Sequence, residues 1–142
     1  MRADKRLGQH FLRDVEVLTD IAAIAAVHET GGVLEIGPGE GALTGFLISG
    51  GKPVVVLDKD PRAIQAVHDR FGDSIQAVLG DALHADLEAL LPEGPPAPIV
   101  VGNLPYNVGT AILQRLLTLT GRVSRLVVML QHEVAARVVA SS

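Results

Sequence analysis

Apolar residues follow two rhythms along this chain. Val15, Leu18, Ile21, Ala22 and Ala25 recur at three- and four-residue spacing, the period of an amphipathic helix, and Asp14 is placed to cap it. Short apolar runs then alternate with helix-like stretches. "GGVLEIG" predicts a buried strand over 33–36, followed by a helix over 41–49. "PVVVLD" predicts a second strand ending at Asp58, and Pro61 suits the first turn of a helix reaching about Arg70. "SIQAVLGD" supplies a third strand ending before Asp81, and "LPEGPPAP" (91–98) is too rich in proline for regular structure. "IVVGNLPY" carries a fourth strand, 110–118 a helix, "RLVVML" a fifth strand, and "QHEVAARVV" a closing helix.

Short apolar strands alternating with helices predict an α/β domain around a parallel sheet. Ligands in such sheets sit beyond the carboxyl ends of the strands. Gly37, Asp58, Asp81 and Asn103 each follow an apolar strand. Any one acid there is readily a helix cap or a turn residue; four residues obeying one rule point to a binding site.

Composition narrows the class. A chain of 142 residues suits one domain, and 48% hydrophobic against 20% charged residues favours a packed core over disorder. Aromatics make up only 3%, so aliphatic side chains must fill that core. Without cysteine there are no disulfides or thiolate metal sites, and the five histidines lack paired ligand spacing, so no metal is expected. No apolar run approaches the roughly 20 residues that cross a bilayer, and the basic N-terminus lacks a secretory apolar region. A cytoplasmic, monomeric domain without a membrane partner is the expectation. The net charge of −4 offers no overall support for nucleic-acid binding. Arg2, Lys5, Arg6 and Arg13 nevertheless cluster at the start; taken alone, they read as a solvated tail.

Candidate chemistry begins at "EIGPGEGALT" (35–44). A nucleoside-triphosphate loop needs a lysine after its glycines, and none is here. A dinucleotide fingerprint stays open: Gly37-x-Gly39-x-x-Ala42 fits it, and Asp58 follows Gly37 by 21 residues, where a ribose-binding acid belongs. Three details lean elsewhere. Pro38 removes an N–H that a pyrophosphate would use. Glu35, at the end of its strand, is expected to add negative charge beside the ligand. Asp81 adds another acid. A cationic nucleoside without phosphate fits better, namely S-adenosylmethionine, with Asp58 accepting from ribose hydroxyls and Asp81 from the adenine amino group.

"NLPY" (103–106) closes the fourth strand. Methyltransferases that act on exocyclic amino groups of bases carry Asn/Asp-x-Pro-Tyr/Phe at this place. Together with "RLGQHFL" (6–12), "EIGPGEGALT", "GDAL" (80–83), "GNLPYNVGT" (102–110) and "QHEVAARV" (131–138), it resembles the KsgA-type small-subunit ribosomal RNA adenine dimethyltransferases over about Lys5 to Val139. The resemblance implies a Rossmann-like, doubly wound, mainly parallel sheet, S-adenosylmethionine as cofactor and ribosomal RNA as partner. It gives Asn103, Leu104, Pro105 and Tyr106 the catalytic role. His10 and Leu12 join Gly37, Gly39, Asp58, Asp81 and Asn103 as cofactor-binding residues, and the basic residues of 1–13 guide RNA phosphates. No catalytic role falls to 131–138, where Glu133 and Arg137 are spaced to pair on a helix.

The pattern departs from the family at Leu7, usually Phe, which loosens packing over the cofactor. The family also continues into further strands and a small helical domain. Residues 1–142 are therefore expected to form the cofactor-binding domain of a longer protein, with an incomplete sheet whose fifth strand exposes an apolar edge. Such a piece is expected to bind cofactor weakly and methylate little. Three other readings stay in view: a relative that methylates large-subunit RNA and confers antibiotic resistance, a non-catalytic RNA- or transcription-associated module, and an NAD-dependent oxidoreductase.

Overall fold

The computed structural model describes residues 15–131 and 136–141. Six strands form one sheet in the order β3-β2-β1-β4-β5-β6. They are β1 (Val33–Ile36), β2 (Val54–Asp58), β3 (Gln76–Leu79), β4 (Ile99–Pro105), β5 (Arg125–Gln131) and β6 (Ala136–Ser141). The first five are parallel, while β6 runs antiparallel against β5. The helices are α1 (Val15–Ala25), α2 (Ala42–Ile48), α3 (Pro61–Phe71), α4 (Leu87–Leu90) and α5 (Tyr106–Leu117), with a 3₁₀ turn at Gly72–Ser74.

Alternate residues of each buried strand feed two cores. On one face, Val33, Val56, Val101 and Val127 pack against Leu18 and Ile21 of α1, Leu43 and Leu47 of α2, and Val67 of α3. On the other, Leu34, Ile36, Val100, Leu104 and Val128 meet Leu87 of α4 and Ile112 and Leu116 of α5. Burial on both faces explains why these strands read as continuous apolar runs. Each fully buried Val, Leu or Ile contributes about 1.5–3 kcal/mol, so the aliphatic layers replace the missing aromatics.

The predicted elements hold with four adjustments. Val15 opens α1 but is 65% exposed, because the buried stripe begins one turn later at Leu18. The helix expected over 110–118 starts at Tyr106, directly after Pro105. Gly109 is what lets it lie close: a Cβ there would come within 2.8 Å of Leu130 Cδ2 and 2.9 Å of Leu104 Cβ. The short α4, capped by the Asp86 side chain accepting from Ala89 N–H at 3.3 Å, has no counterpart in the sequence reading.

Where the closing helix is expected over 131–139, the described residues are strand: Gln131 ends β5, and 136–141 is β6, with Val139 opposite Val128 and Val138 opposite Met129. The physical reason lies in β5, whose Leu126 to Met129 are all buried. Its outer edge would leave a row of backbone N–H and C=O groups unpaired, and β-branched Val138 and Val139 suit a ladder better than a helix. The strand-five edge is thus covered. Glu133 lies outside the described residues, and Arg137 sits on a strand.

Candidate active site

At the carboxyl end of the sheet the strands stop at different heights. The β1–β4 ladder ends with Ile36 opposite Gly102, whereas β4 stays paired with β5 up to Pro105 opposite Gln131. The chain leaves β1 at Gly37, so Asn103–Pro105 projects beyond β1 while remaining held by β5. Gly37 has φ +74°, and a Cβ on it would lie 2.6 Å from the carbonyl oxygen of Asn103. Only glycine lets the turn and the strand end approach this closely.

In the turn after β1 two amides are already engaged. Gly37 N–H donates to Leu57 O and Gly41 N–H to Pro38 O, each at 2.9 Å, and Pro38 has no N–H. A pyrophosphate site needs a cluster of free amides, and Gly37, Pro38 and Gly41 offer none to it. The far side of the turn is buttressed by α3: Phe71 packs where Gly41 has no Cβ, and Arg70 Nη1 donates to Glu40 O at 3.2 Å.

Two carboxylates face this turn from neighbouring strands. Asp58 ends β2; its Oδ1 accepts from Asp60 N–H at 2.9 Å, and its carbonyl accepts from Gly80 N–H at 2.9 Å. Asp81 follows directly, with Oδ1 accepting from Leu83 N–H at 2.9 Å. Each acid is thereby pinned by one oxygen to its own turn, which leaves the second for a ligand.

Gly37, Gly39, Asp58, Asp81 and Asn103–Pro105 line one open cleft. Apolar Ile36, Leu57 and Ala82 line it beside the charged Asp58, Lys59 and Asp81.

Comparison with known proteins now decides the family. Residues 1–142 match the family described as ribosomal RNA adenine dimethylase. The chain belongs to that family.

Among curated dimethylase relatives, the ribosomal RNA small subunit methyltransferase A of Geobacter sulfurreducens is 43% identical over 143 residues, covering 99% of this chain and 52% of the relative. Its counterpart in Phenylobacterium zucineum is 44% identical, covering 98% and 49%. The chain thus spans about half the length of the curated relatives it matches. Among solved structures, the 23S rRNA methyltransferase ErmE is similar with a TM-score of 0.69 at 31% identity, over 85% of this chain and 48% of that one.

Within this dimethylase fold, the structure gathers most of the residues the sequence singled out. Gly37, Gly39, Asp58, Asp81, Asn103, Leu104 and Pro105 share the cleft. Leu104 turns its side chain into the core at 2% exposure, so only its backbone is at the site's disposal. Tyr106 opens α5. His10, Leu12 and the cluster of Arg2, Lys5, Arg6 and Arg13 lie outside the described residues.

Glu35 differs from expectation. It is 1% exposed, absent from the cleft lining, and accepts a hydrogen bond of 2.5 Å from Thr44 Oγ1 of α2. Strand alternation is the cause, since Ile36 takes the cleft side and its neighbour must face the other layer. Burial drives the Glu35 carboxyl up to about 7, against the Thr44 hydrogen bond and with some help from Asp58. It is not a charge beside the ligand.

The sequence reading missed Lys59, Leu83, Val108 and Ile112, which also line the cleft. Val108 and Ile112 are four apart on α5, a signal that became readable only once the helix was known to start at Tyr106.

Proposed function

We propose that this protein dimethylates N6 of adenines in small-subunit ribosomal RNA, using S-adenosylmethionine. The observation that carries the proposal is the projection of Asn103–Pro105 beside the Gly37 turn, in a cleft lined by the carboxylates of Asp58 and Asp81. Its two carboxylates favour a cationic nucleoside. Bound there, S-adenosylmethionine supplies an electrophilic methyl group on a sulfonium. Asp58 accepts from the ribose hydroxyls and Asp81 from the adenine amino group; by the family resemblance, His10 and Leu12 close over the cofactor.

The lone pair of adenine N6 is delocalised into its ring, so the amine is a poor nucleophile. The Asn103 side-chain oxygen and a backbone carbonyl of Leu104 or Pro105 accept its two hydrogens and favour a pyramidal nitrogen. Its lone pair then points at the methyl group for in-line displacement. The β5 ladder and the fixed φ of Pro105 hold these acceptors in place before the base arrives, which is where the catalytic gain lies. The target base enters unstacked, and stacking on Tyr106 contributes about 1–3 kcal/mol. No general base is needed, because the methylated amine is acidic enough to release its proton.

Residues 1–142 act in this reading as the cofactor-binding methyltransferase domain, monomeric, with the basic N-terminal segment guiding RNA phosphates. Identity of 43–44% to small-subunit enzymes, against 31% to ErmE, supports the small subunit as substrate. The likeness to ErmE favours large-subunit RNA as the second reading. Asn103→Ala tests the enzymatic role: methyl transfer should vanish while S-adenosylhomocysteine still binds. Retained transfer would leave a binding module on the same fold.

A further inference from the structure

One half-buried cation on the cleft side of the sheet has no part in the roles above. Arg115, in the last turn of α5, donates from Nη1 to Ala82 O at 2.5 Å and from Nη2 to Ala85 O at 2.8 Å. Among the described residues it makes no ion pair. Both carbonyls belong to the turn that Asp81 opens, and Asp81 closes that turn from within. Its Oδ1 accepts from Leu83 N–H, and its carbonyl accepts from His84 and Ala85 N–H at 2.9 and 2.8 Å. A planar guanidinium that spans two carbonyls fixes position and angle together, which a single amine cannot do.

Helix α5 begins at Tyr106, immediately after Asn103–Pro105. Arg115 therefore ties the helix rooted in the substrate motif to the turn that carries Asp81, across 33 residues of sequence. We infer that Arg115 is a positioning residue for the cofactor: it sets the Asp81 turn so that the carboxylate meets the adenine amino group. The inference rests on the proposed role of Asp81. Partly burying a guanidinium against neutral carbonyls forgoes hydration that an aliphatic residue would not need, so a packing role alone does not explain an arginine here.

The test is a double-mutant cycle read by calorimetric binding of S-adenosylhomocysteine, with circular dichroism melts alongside. Arg115→Met and Asp81→Asn should each weaken binding about tenfold, and the double variant should bind no worse than Asp81→Asn within about twofold. Arg115→Lys, which keeps one carbonyl contact, should lose only about threefold, and that loss should vanish in the Asp81→Asn background. This last comparison carries the test if Arg115→Met does not fold. Losses at Arg115 that persist in the Asp81→Asn background, or Arg115→Met binding within twofold of wild type, overturn the inference. Wild-type protein that takes up no S-adenosylhomocysteine overturns the cofactor reading itself, and the role of Arg115 with it.

Discussion

The α-carbon of Gly37 faces the carbonyl oxygen of Asn103 with no room for a methyl group, since a Cβ would sit 2.6 Å from that oxygen. The glycine turn and the Asn103–Pro105 segment are thus in backbone contact. Gly37→Ala should destabilise the protein by about 2–4 kcal/mol, from the clash together with a left-handed φ of +74°. Gly39 makes the control: its φ is +58°, but a Cβ there meets nothing within 4 Å. Gly39→Ala should cost only about 1–2 kcal/mol of backbone strain. Urea denaturation of both variants measures the difference, and equal losses would mean the approach to Asn103 is unimportant.

Glu35 makes stability depend on pH in an unusual direction. The carboxyl titrates at its ordinary 4.5 when unfolded and at about 7 when folded, chiefly because it is buried. Between those values the folded state holds a proton that the unfolded state has released. Stability therefore falls as pH rises from 4.5 to 7 and levels off above, at a total cost on the order of 3 kcal/mol. Glu35→Gln keeps an acceptor for Thr44 and removes the titration. Thermal melts should show the variant equal to wild type near pH 4.5 and more stable at pH 8. A wild-type Tm that rises across this window while that of the variant stays flat would contradict the assignment.

Asp58 and its hydroxyl partners should govern affinity more than chemistry. Asp58→Asn can still accept from Asp60 N–H but loses the charge that strengthens a ribose contact. Affinity for S-adenosylhomocysteine should fall about 10- to 100-fold, with KM for the cofactor rising in step and kcat nearly kept. Loss of kcat at saturating cofactor would place Asp58 in the methyl-transfer step instead.

The turn after β1 makes a choice between ligands. With the N–H groups of Gly37 and Gly41 consumed and Pro38 without one, S-adenosylhomocysteine should bind and NAD should not. Calorimetry with both ligands at the same concentration settles it, and heat from NAD alone would return the cleft to the dinucleotide class.

Much of this site was legible because a parallel sheet puts ligand-binding residues immediately after its apolar runs. The positions of Gly37, Asp58, Asp81 and Asn103 needed only the ends of four strands. What escaped were properties that local sequence does not encode. A strand buried on both faces shows no alternation, so nothing in "VLEI" told which side Glu35 takes. Asn107 and Gly109 are poor helix formers, and the start of α5 at Tyr106 depends on Gly109 packing against Leu104 and Leu130. The segment 136–141 reads as part of a helix in sequence, and its pairing with β5 is a tertiary demand that overrides that reading. The bonds from Arg115 to the Asp81 turn join residues too far apart in the chain for any motif to reveal.

Asn103–Pro105 is proposed to present adenine N6 to a sulfonium methyl group. This is tested most directly by giving the full-length protein methyl-labelled S-adenosylmethionine with small and large ribosomal subunits that lack the modification, then mapping the label. Label is expected on N6 of adenines in small-subunit RNA, and none with Asn103→Ala. Label confined to large-subunit RNA, or on any atom other than adenine N6, would contradict it.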